Sequence, residues 1–282
     1  MKHVRAATAL VLLLLLAGCA GNPPEQLSRP GPPSTIGGTG GTQHLGTDPP
    51  RWRPVLGTSW QWQLSGRLDL TVVAQVYDVD LIGTDREAVR RLHAQRRRAV
   101  CYLSVGSWEP GRPDSAAFPA AVRGRSLDGF PDEHWLDIRR ADLLLPLMAK
   151  RLDLCRAKGF DGAELDNVDG WSNPTGFPLT AAVQLRYNRA LAGLAHARGL
   201  AVALKNDLAQ IPVLEPSFDF AVNEQCVEYR ECGQLAPFVA AGKPVLHVEY
   251  ALPAARVCPV TEPLHFSTLL KHLDLGVYRT SC

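Results

Sequence analysis

The sequence predicts an α/β fold, a single (β/α)8 TIM barrel, and three observations carry that expectation. Apolar stretches of strand length recur along the chain after about residue 52; stretches of helical spacing separate most of them; and the strand stretches read as buried on both faces, as parallel strands covered by helices do. Strand candidates fall at 59–64, 72–77, 99–105, 162–165, 201–204, 220–222, 245–248 and 276–278. Helical spacing runs over 85–97, 142–158, 181–198 and 266–273, with Gly159 and Gly199 where a helix would stop before the next strand. Eight such strands argue for closure into a barrel. The connection over 65–71 is too short for a crossover helix, so either the first β/α unit is degenerate or one strand is misplaced.

The 282 residues, 46% of them hydrophobic, have room for one large barrel or two small domains. A formal charge of +2, with no Lys/Arg cluster interleaved with aromatics, argues against nucleic acid as a partner; the Arg96 to Arg98 run reads as a solvated helix end. At the amino terminus Lys2 and Arg5 precede an apolar run over 6–16, too short to span a bilayer comfortably. Leu16-Ala17-Gly18-Cys19 then matches a bacterial lipoprotein cleavage box, which predicts a signal peptide over 1–18 and lipidation at Cys19. The expected location is the outer face of the cytoplasmic membrane or the cell envelope, with the lipid anchor as the membrane contact. Residues 19–51 are rich in Pro, Gly, Ser and Thr and read as a flexible tether, leaving 52–282 as the folded domain.

Seven cysteines less Cys19 leave an even number in an oxidising compartment, enough for three disulfides. Cys226 and Cys232 are close enough for a small loop, and Cys258 with Cys282 would tie down the carboxyl terminus. Cys101 and Cys155 remain by elimination, although other pairings stay open. No CxxC pair or His spacing supports a zinc site, and no metal is expected.

In a barrel of this kind the residues that close each strand form the active site. Here they are strongly polar: Asp78 and Asp80; Ser104, Ser107, Trp108 and Glu109; Glu164, Asp166 and Asp169; Lys205, Asn206 and Asp207; Asn223, Glu224 and Gln225; His247, Glu249 and Tyr250. Acids converging from different strands suit glycosidic cleavage, in which one carboxyl protonates the leaving oxygen and the other attacks the anomeric carbon or activates water. Asp166 and Glu224 are the catalytic candidates, each beside an amide, Asn167 and Asn223, able to bind sugar hydroxyls. Lys205 is placed to orient a carboxylate and lower its pKa. Trp60, Trp62, Trp108 and Trp171 are candidate sugar platforms, although a lone Trp is more often core. His247 alternates with apolar neighbours and reads as a hydrogen-bonded core residue. Tyr77 and Tyr102 either line the barrel mouth or pack inside it.

At these residues the chain resembles glycoside hydrolase family 114, the endo-α-1,4-polygalactosaminidase family. The resemblance is carried by Trp60-Gln61-Trp62-Gln63-Leu64, Tyr77-Asp78-Val79-Asp80, Tyr102-Leu103-Ser104-Val105-Gly106-Ser107-Trp108-Glu109 and the segment 159–171. It continues in Leu204-Lys205-Asn206-Asp207, Asp219-Phe220-Ala221-Val222-Asn223-Glu224-Gln225-Cys226 and His247-Val248-Glu249-Tyr250. It implies a (β/α)8 barrel that hydrolyses α-1,4-linked galactosamine polymers internally with two carboxylates and no cofactor. By the same resemblance Asp166 is the nucleophile and Glu224, in Asn-Glu-Gln-Cys, the acid/base of a retaining reaction. Substrate contacts are expected from Asp78, Asp80, Trp108, Glu164, Asn167, Asp169, Trp171, Lys205, Asn223 and Glu249, the acids attracting cationic deacetylated units. The chain departs from the family at Leu165, where relatives often carry Pro. A galactosamine-rich polysaccharide is thus the expected partner of a monomeric enzyme. The competing readings are a glycan-binding surface lipoprotein without catalysis and a metal-dependent hydrolase using the acids with His247.

Overall fold

Strands of this chain alternate along their length between two burial environments, and that alternation positions everything that follows. The computed structural model describes residues 51–282. The expected signal peptide, the expected lipidation site Cys19 and the expected tether up to residue 50 lie outside the described residues. Eight parallel strands, β1 (Trp60–Gln63), β2 (Val76–Asp80), β3 (Arg98–Ser104), β4 (Gly162–Asp166), β5 (Ala201–Lys205), β6 (Phe220–Glu224), β7 (Val245–Glu249) and β8 (Ser267–Leu270), are hydrogen-bonded in sequence order. The sheet curls until the Trp60 indole of β1 donates to the Ser267 carbonyl of β8 at 2.8 Å, and the result is the expected (β/α)8 barrel. The carboxyl-terminal segment lines that seam: Gln61 donates to the Val277 carbonyl and the Leu64 amide to the Leu275 carbonyl, while Thr280–Ser281 pair antiparallel with β8.

Side chains two apart along a strand share a face. Trp60, Trp62, Val76, Val100, Ala201, Ala203, Phe220, Val222, Leu246, Val248 and Leu269 fill the barrel interior, with Trp52 packed against them. The intervening residues, such as Tyr77, Val79, Ala163, Leu165 and Leu204, pack outward in the layer shared with the helices. The main helices are α1 (Arg86–Ala94), α2 (Ala141–Lys158) and α3 (Ala181–His196). Asp85 caps α1 through the Ala88 amide at 2.7 Å, Thr180 caps α3, and α2 stops at Gly159, whose φ of 96° suits a residue without a Cβ. Among the described residues no helix lies between Gln63 and Val76, so the first unit is the degenerate one.

The eighth strand is a correction. Residues 266–273 were expected as a helix and 276–278 as a strand, yet 267–270 form β8, in register with β7 from Leu246↔Ser267 to Glu249↔Leu270. Burial on both faces produced a short apolar run whose period does not distinguish helix from strand. The helix that serves this unit is the short Ala254–Thr261, interrupted by Pro259. The sequence reading also missed a three-stranded antiparallel sheet, Ser107–Trp108, Arg123–Leu127 and Phe130–Leu136, inserted between β3 and α2. Its turn is Asp128-Gly129, with Gly129 at φ 77°, a hairpin signal available in the sequence.

Three disulfides join Cys101 to Cys155, Cys226 to Cys232 and Cys258 to Cys282, the pairing reached above. The first ties β3 to α2 across 54 residues and the second closes a loop of six directly after β6.

Candidate active site

Inward-facing positions at the carboxyl ends of β4, β5 and β6 are Asp166, Lys205 and Glu224, so the parity that buries Ala201 and Ala203 also sends Lys205 into the barrel mouth. The Lys205 ammonium lies 3.0 Å from Asp166 Oδ1, 2.9 Å from Glu224 Oε2 and 3.6 Å from Glu164 Oε1, and 5.0 Å from the centre of the Trp62 ring. Asp166 also accepts from the Tyr102 hydroxyl at 2.7 Å and from the Asn167 amide at 2.8 Å. Burial pushes its pKa up, but the charge of Lys205 and these hydrogen bonds outweigh it and hold Asp166 below the ordinary aspartate value. Glu224 accepts from the Tyr250 hydroxyl and is ion-paired with Lys205.

One layer deeper lie two more inward acids, Asp78 and Glu164, both fully buried. The Trp62 indole donates to Glu164 Oε2 at 3.0 Å, while Glu164 Oε1 and both Asp78 oxygens find no other donor. Burial raises both carboxyls, Asp78 to about 7 and Glu164 well above its ordinary value, and each is a side-chain partner of the other. A proton retained on Glu164 and donated to Asp78 gives one Asp78 oxygen its missing donor and avoids two like charges side by side, which burial makes costly.

The backbone turns sharply just past these strands. Asn167, Asn206 and Gln225 follow Asp166, Lys205 and Glu224 and sit at φ 61°, 48° and 62°, a region non-glycine residues rarely occupy. Their amides are put to use: Asn167 Nδ2 reaches Ser104 Oγ at 2.9 Å, and Asn206 Oδ1 accepts from the Glu224 amide at 3.1 Å and from Asn223 Nδ2 at 3.2 Å. Gly106 lets the β3 loop pass over this turn, since a Cβ there would meet the Asn167 carbonyl oxygen at 1.6 Å.

The mouth opens into a cleft of about 740 Å3 whose lining includes Trp62, Asp80, Tyr102, Glu133, Trp135, Asp166, Asn167, Asp169, Lys205 and Glu224. Asp80 closes β2, with Oδ2 2.6 Å from Arg112 and Oδ1 accepting the Ile82 and Gly83 amides. Burial, with help from Asp166, raises Asp169. Trp171 lies in an adjoining groove, its indole donating to Asp207 at 3.1 Å. Trp108 stands elsewhere: its indole donates to the Ser115 carbonyl and the Arg123 guanidinium covers its ring at 4.2 Å.

Asn223 and Glu249, expected among the substrate contacts, have outward parity and are placed beneath the cleft. Glu249 is fully buried, with Oε1 accepting the Val227 amide at 2.7 Å and lying 3.1 Å from His247 Nε2, so it anchors the loop after β6. Asp78 likewise lies under the floor. Strand alternation was the signal that separates Asn223 and Glu249 from Asp166 and Glu224; Asp78 and Glu164, also expected to touch substrate, share the inward parity and are set apart by lying one layer deeper, fully buried. Cys226, Cys232 and His247 are the one grouping of metal-ligand type among the described residues, and its two sulfurs are joined to each other. Residues the sequence reading missed are Glu133, Trp135 and Phe130, brought in by the unforeseen hairpin, and Tyr229, held out by the small disulfide loop.

A (β/α)8 barrel with two carboxylates from β4 and β6 facing one cleft defines a glycosidase-type site. The sequence profile of glycoside-hydrolase family GH114 matches residues 41–282, and the chain belongs to that family, as an endo-acting glycoside hydrolase. Among solved structures it is similar to Ega3 of Aspergillus fumigatus, determined in complex with galactosamine: 36% identity, a TM-score of 0.79, and coverage of 84% of this chain and 100% of that one. The glycoside hydrolase domain of PelA from Pseudomonas aeruginosa shares the fold at 17% identity, with a TM-score of 0.63 over 79% of this chain and 98% of that domain. An uncharacterised protein of Deinococcus radiodurans is 28% identical over 86% of this chain and 87% of its own length.

Proposed function

We propose that the enzyme cuts α-1,4-linked galactosamine polymers internally by double displacement, with Asp166 as nucleophile and Glu224 as acid/base. The observation that carries this reading is the shared ammonium of Lys205. Oxygens 3.0 and 2.9 Å from one nitrogen stand no farther apart than about 5.9 Å, short of the roughly 6.5–9.5 Å that inverting enzymes keep for a water. Asp166 is held ionised by Lys205, Tyr102 and the Asn167 amide and is the group ready to attack. Glu224, with 25% side-chain exposure against 17% for Asp166, is the better placed to exchange a proton with solvent.

In the first step an Asp166 oxygen bonds to the anomeric carbon as the glycosidic C–O bond breaks, and the leaving oxygen takes the Glu224 proton. In the second, Glu224 removes a proton from water, whose oxygen displaces Asp166 and restores the original anomeric configuration. A cationic sugar suits the cleft. Arg112 is neutralised by Asp80 and Glu109, and Lys205 by the acids around it, so Asp128, Glu133, Asp169 and Asp274 leave the lining net negative. The galactosamine bound to Ega3 supports the same substrate class. Export and anchoring through Cys19 complete the reading. The lipoprotein box supports them, and so does the pairing of the six remaining cysteines, which suits an oxidising compartment.

The test is hydrolysis of deacetylated galactosamine polymer by the wild type, Asp166→Asn and Glu224→Gln, with products sized and their anomers followed by NMR. We expect α-configured oligomers from the wild type, turnover down by at least about 10³-fold in Asp166→Asn, and a loss of about 10²–10⁴-fold in Glu224→Gln. Initial β products, or an active Asp166→Asn, would defeat the proposed chemistry.

A further inference from the structure

The cleft does not end at the catalytic pair. A second groove of about 390 Å3 adjoins it, and Asp169, Asn206, Glu224, Gln225 and Tyr229 line both. Glu224 therefore stands at a junction with open space on either side, the arrangement a polymer needs when it is cut within its length.

The second groove has a constructed wall. Trp171 Nε1 donates to Asp207 Oδ1 at 3.1 Å; Asp207 Oδ2 accepts from Asn188 Nδ2 at 3.0 Å; Asn188 Oδ1 accepts from Gln184 Nε2 at 2.8 Å; and Gln184 Oε1 accepts the Trp171 backbone amide at 3.3 Å. This closed ring of hydrogen bonds draws on two α3 residues that are 1% and 0% exposed, and none of its four bonds reaches Asp166 or Glu224. A fully satisfied buried network fixes the group it holds, and here that group is an indole facing a groove. Tyr229, 62% exposed, stands at the junction on the loop that Cys226–Cys232 closes. The two grooves also differ in charge. Asp169, Asp207, Glu224 and Glu231 line the second one without any Lys or Arg, whereas the first contains Arg112 and Lys205.

We propose that the second groove is a binding arm for an unacetylated hexosamine unit of the polymer, with Trp171 as its ring platform, Tyr229 at the junction, and Asp207, Asn188 and Gln184 as positioning residues. The proposal rests on the glycosidase reading above and deepens it. The apolar face of a hexose packs against an indole, while a free ammonium gains from a wall with no competing cation. An acetylated unit is neutral and gains nothing from that charge.

Binding is read in chains that carry Asp166→Asn, by calorimetric titration with galactosamine oligomers of increasing length, deacetylated and N-acetylated. Affinity for the deacetylated series is expected to rise with length until both grooves are filled. Adding Trp171→Ala or Tyr229→Ala flattens that rise and weakens the longest oligomer by about 10-fold. Tyr229 is exposed, so its replacement tests the arm even where Trp171→Ala fails to fold. Asp207→Ala, which removes the acceptor for the indole, is expected to reproduce the Trp171→Ala loss for both series. Unchanged length dependence in both aromatic variants overturns the arm, and equal affinity for the two series overturns its preference for a cation. A wild type that cuts no galactosamine polymer while these binding differences persist sinks the reading of the preceding subsection and leaves this one supported.

Discussion

Two carboxylates in one cleft repel each other's charge, and Lys205 is what allows Asp166 and Glu224 to stand so close. Burial alone would lower the pKa of its ammonium, but the charges of Asp166 and Glu224 beside it outweigh that cost and hold it well above the ordinary lysine value. The lysine thus stays charged throughout the working range of a glycosidase. Tyr102 adds a finer control, since its hydroxyl donates to Asp166 Oδ2 at 2.7 Å. Tyr102→Phe removes that donor and nothing else, so Asp166 should hold its proton to higher pH. A hydrogen bond to a charged group is worth about 1.5–3 kcal/mol, hence kcat/KM should fall about 10- to 100-fold near the acid limb. That limb should move upward in a pH profile of kcat/KM, because the nucleophile must be ionised. An acid limb that stays in place would mean that the tyrosine does not act on the charge of Asp166.

At the scale of elements, Asp166, Lys205 and Glu224 are each delivered by a strand end followed by a residue in the left-handed region. The strands were legible because buried parallel strands write themselves as apolar runs, and Asp166, Lys205 and Glu224 were legible as the polar residues that end them. Asn223 and Glu249 show what position alone misses: they neighbour the right residues but fall on the other face of the strand. Strand β8 reads as part of a helix in the sequence because four residues, three of them buried, carry no decisive period. The 107–136 insertion was missed because its longest strand, Phe130–Leu136, contains Pro131 and several charges and packs only partly on the core. The turns were illegible for another reason: Asn167, Asn206 and Gln225 are ordinary surface residues by composition, and tertiary contacts impose their backbone. Gly106 shows how tight that imposition is. Gly106→Ala drives a Cβ into the Asn167 carbonyl, and either the β3 loop or the turn beyond Asp166 must move. We expect destabilisation of about 3 kcal/mol or more in a denaturant melt, together with loss of activity. A variant as stable as the wild type would show that the two loops are not locked together.

For the molecule as a whole, the acid pair beneath the floor makes stability depend on pH in a direction opposite to that of Asp166. The folded-state pKa of Asp166 is lowered, so its contribution is present above the unfolded value and is lost as pH falls through the folded one. Asp78 behaves in reverse. Burial lifts it from 3.8 to about 7, so between those values the folded chain holds a proton that the unfolded chain has released. The Asp78 contribution then falls as pH rises across that window and levels off above it. Some three pH units at 1.36 kcal/mol each set a ceiling of roughly 4 kcal/mol, which the partnership with Glu164 reduces. Asp78→Asn cannot ionise, yet still offers Glu164 an oxygen, so the variant should escape this loss while the Asp166 contribution, common to both chains, cancels in the comparison. The melting temperature of Asp78→Asn minus that of the wild type should be zero or negative near pH 4. It should climb between about pH 4 and 7 and hold a plateau of several degrees above that, at roughly 2–4 °C per kcal/mol for a domain of this size. A difference that stays flat with pH would show that Asp78 is already ionised in the folded barrel across that window.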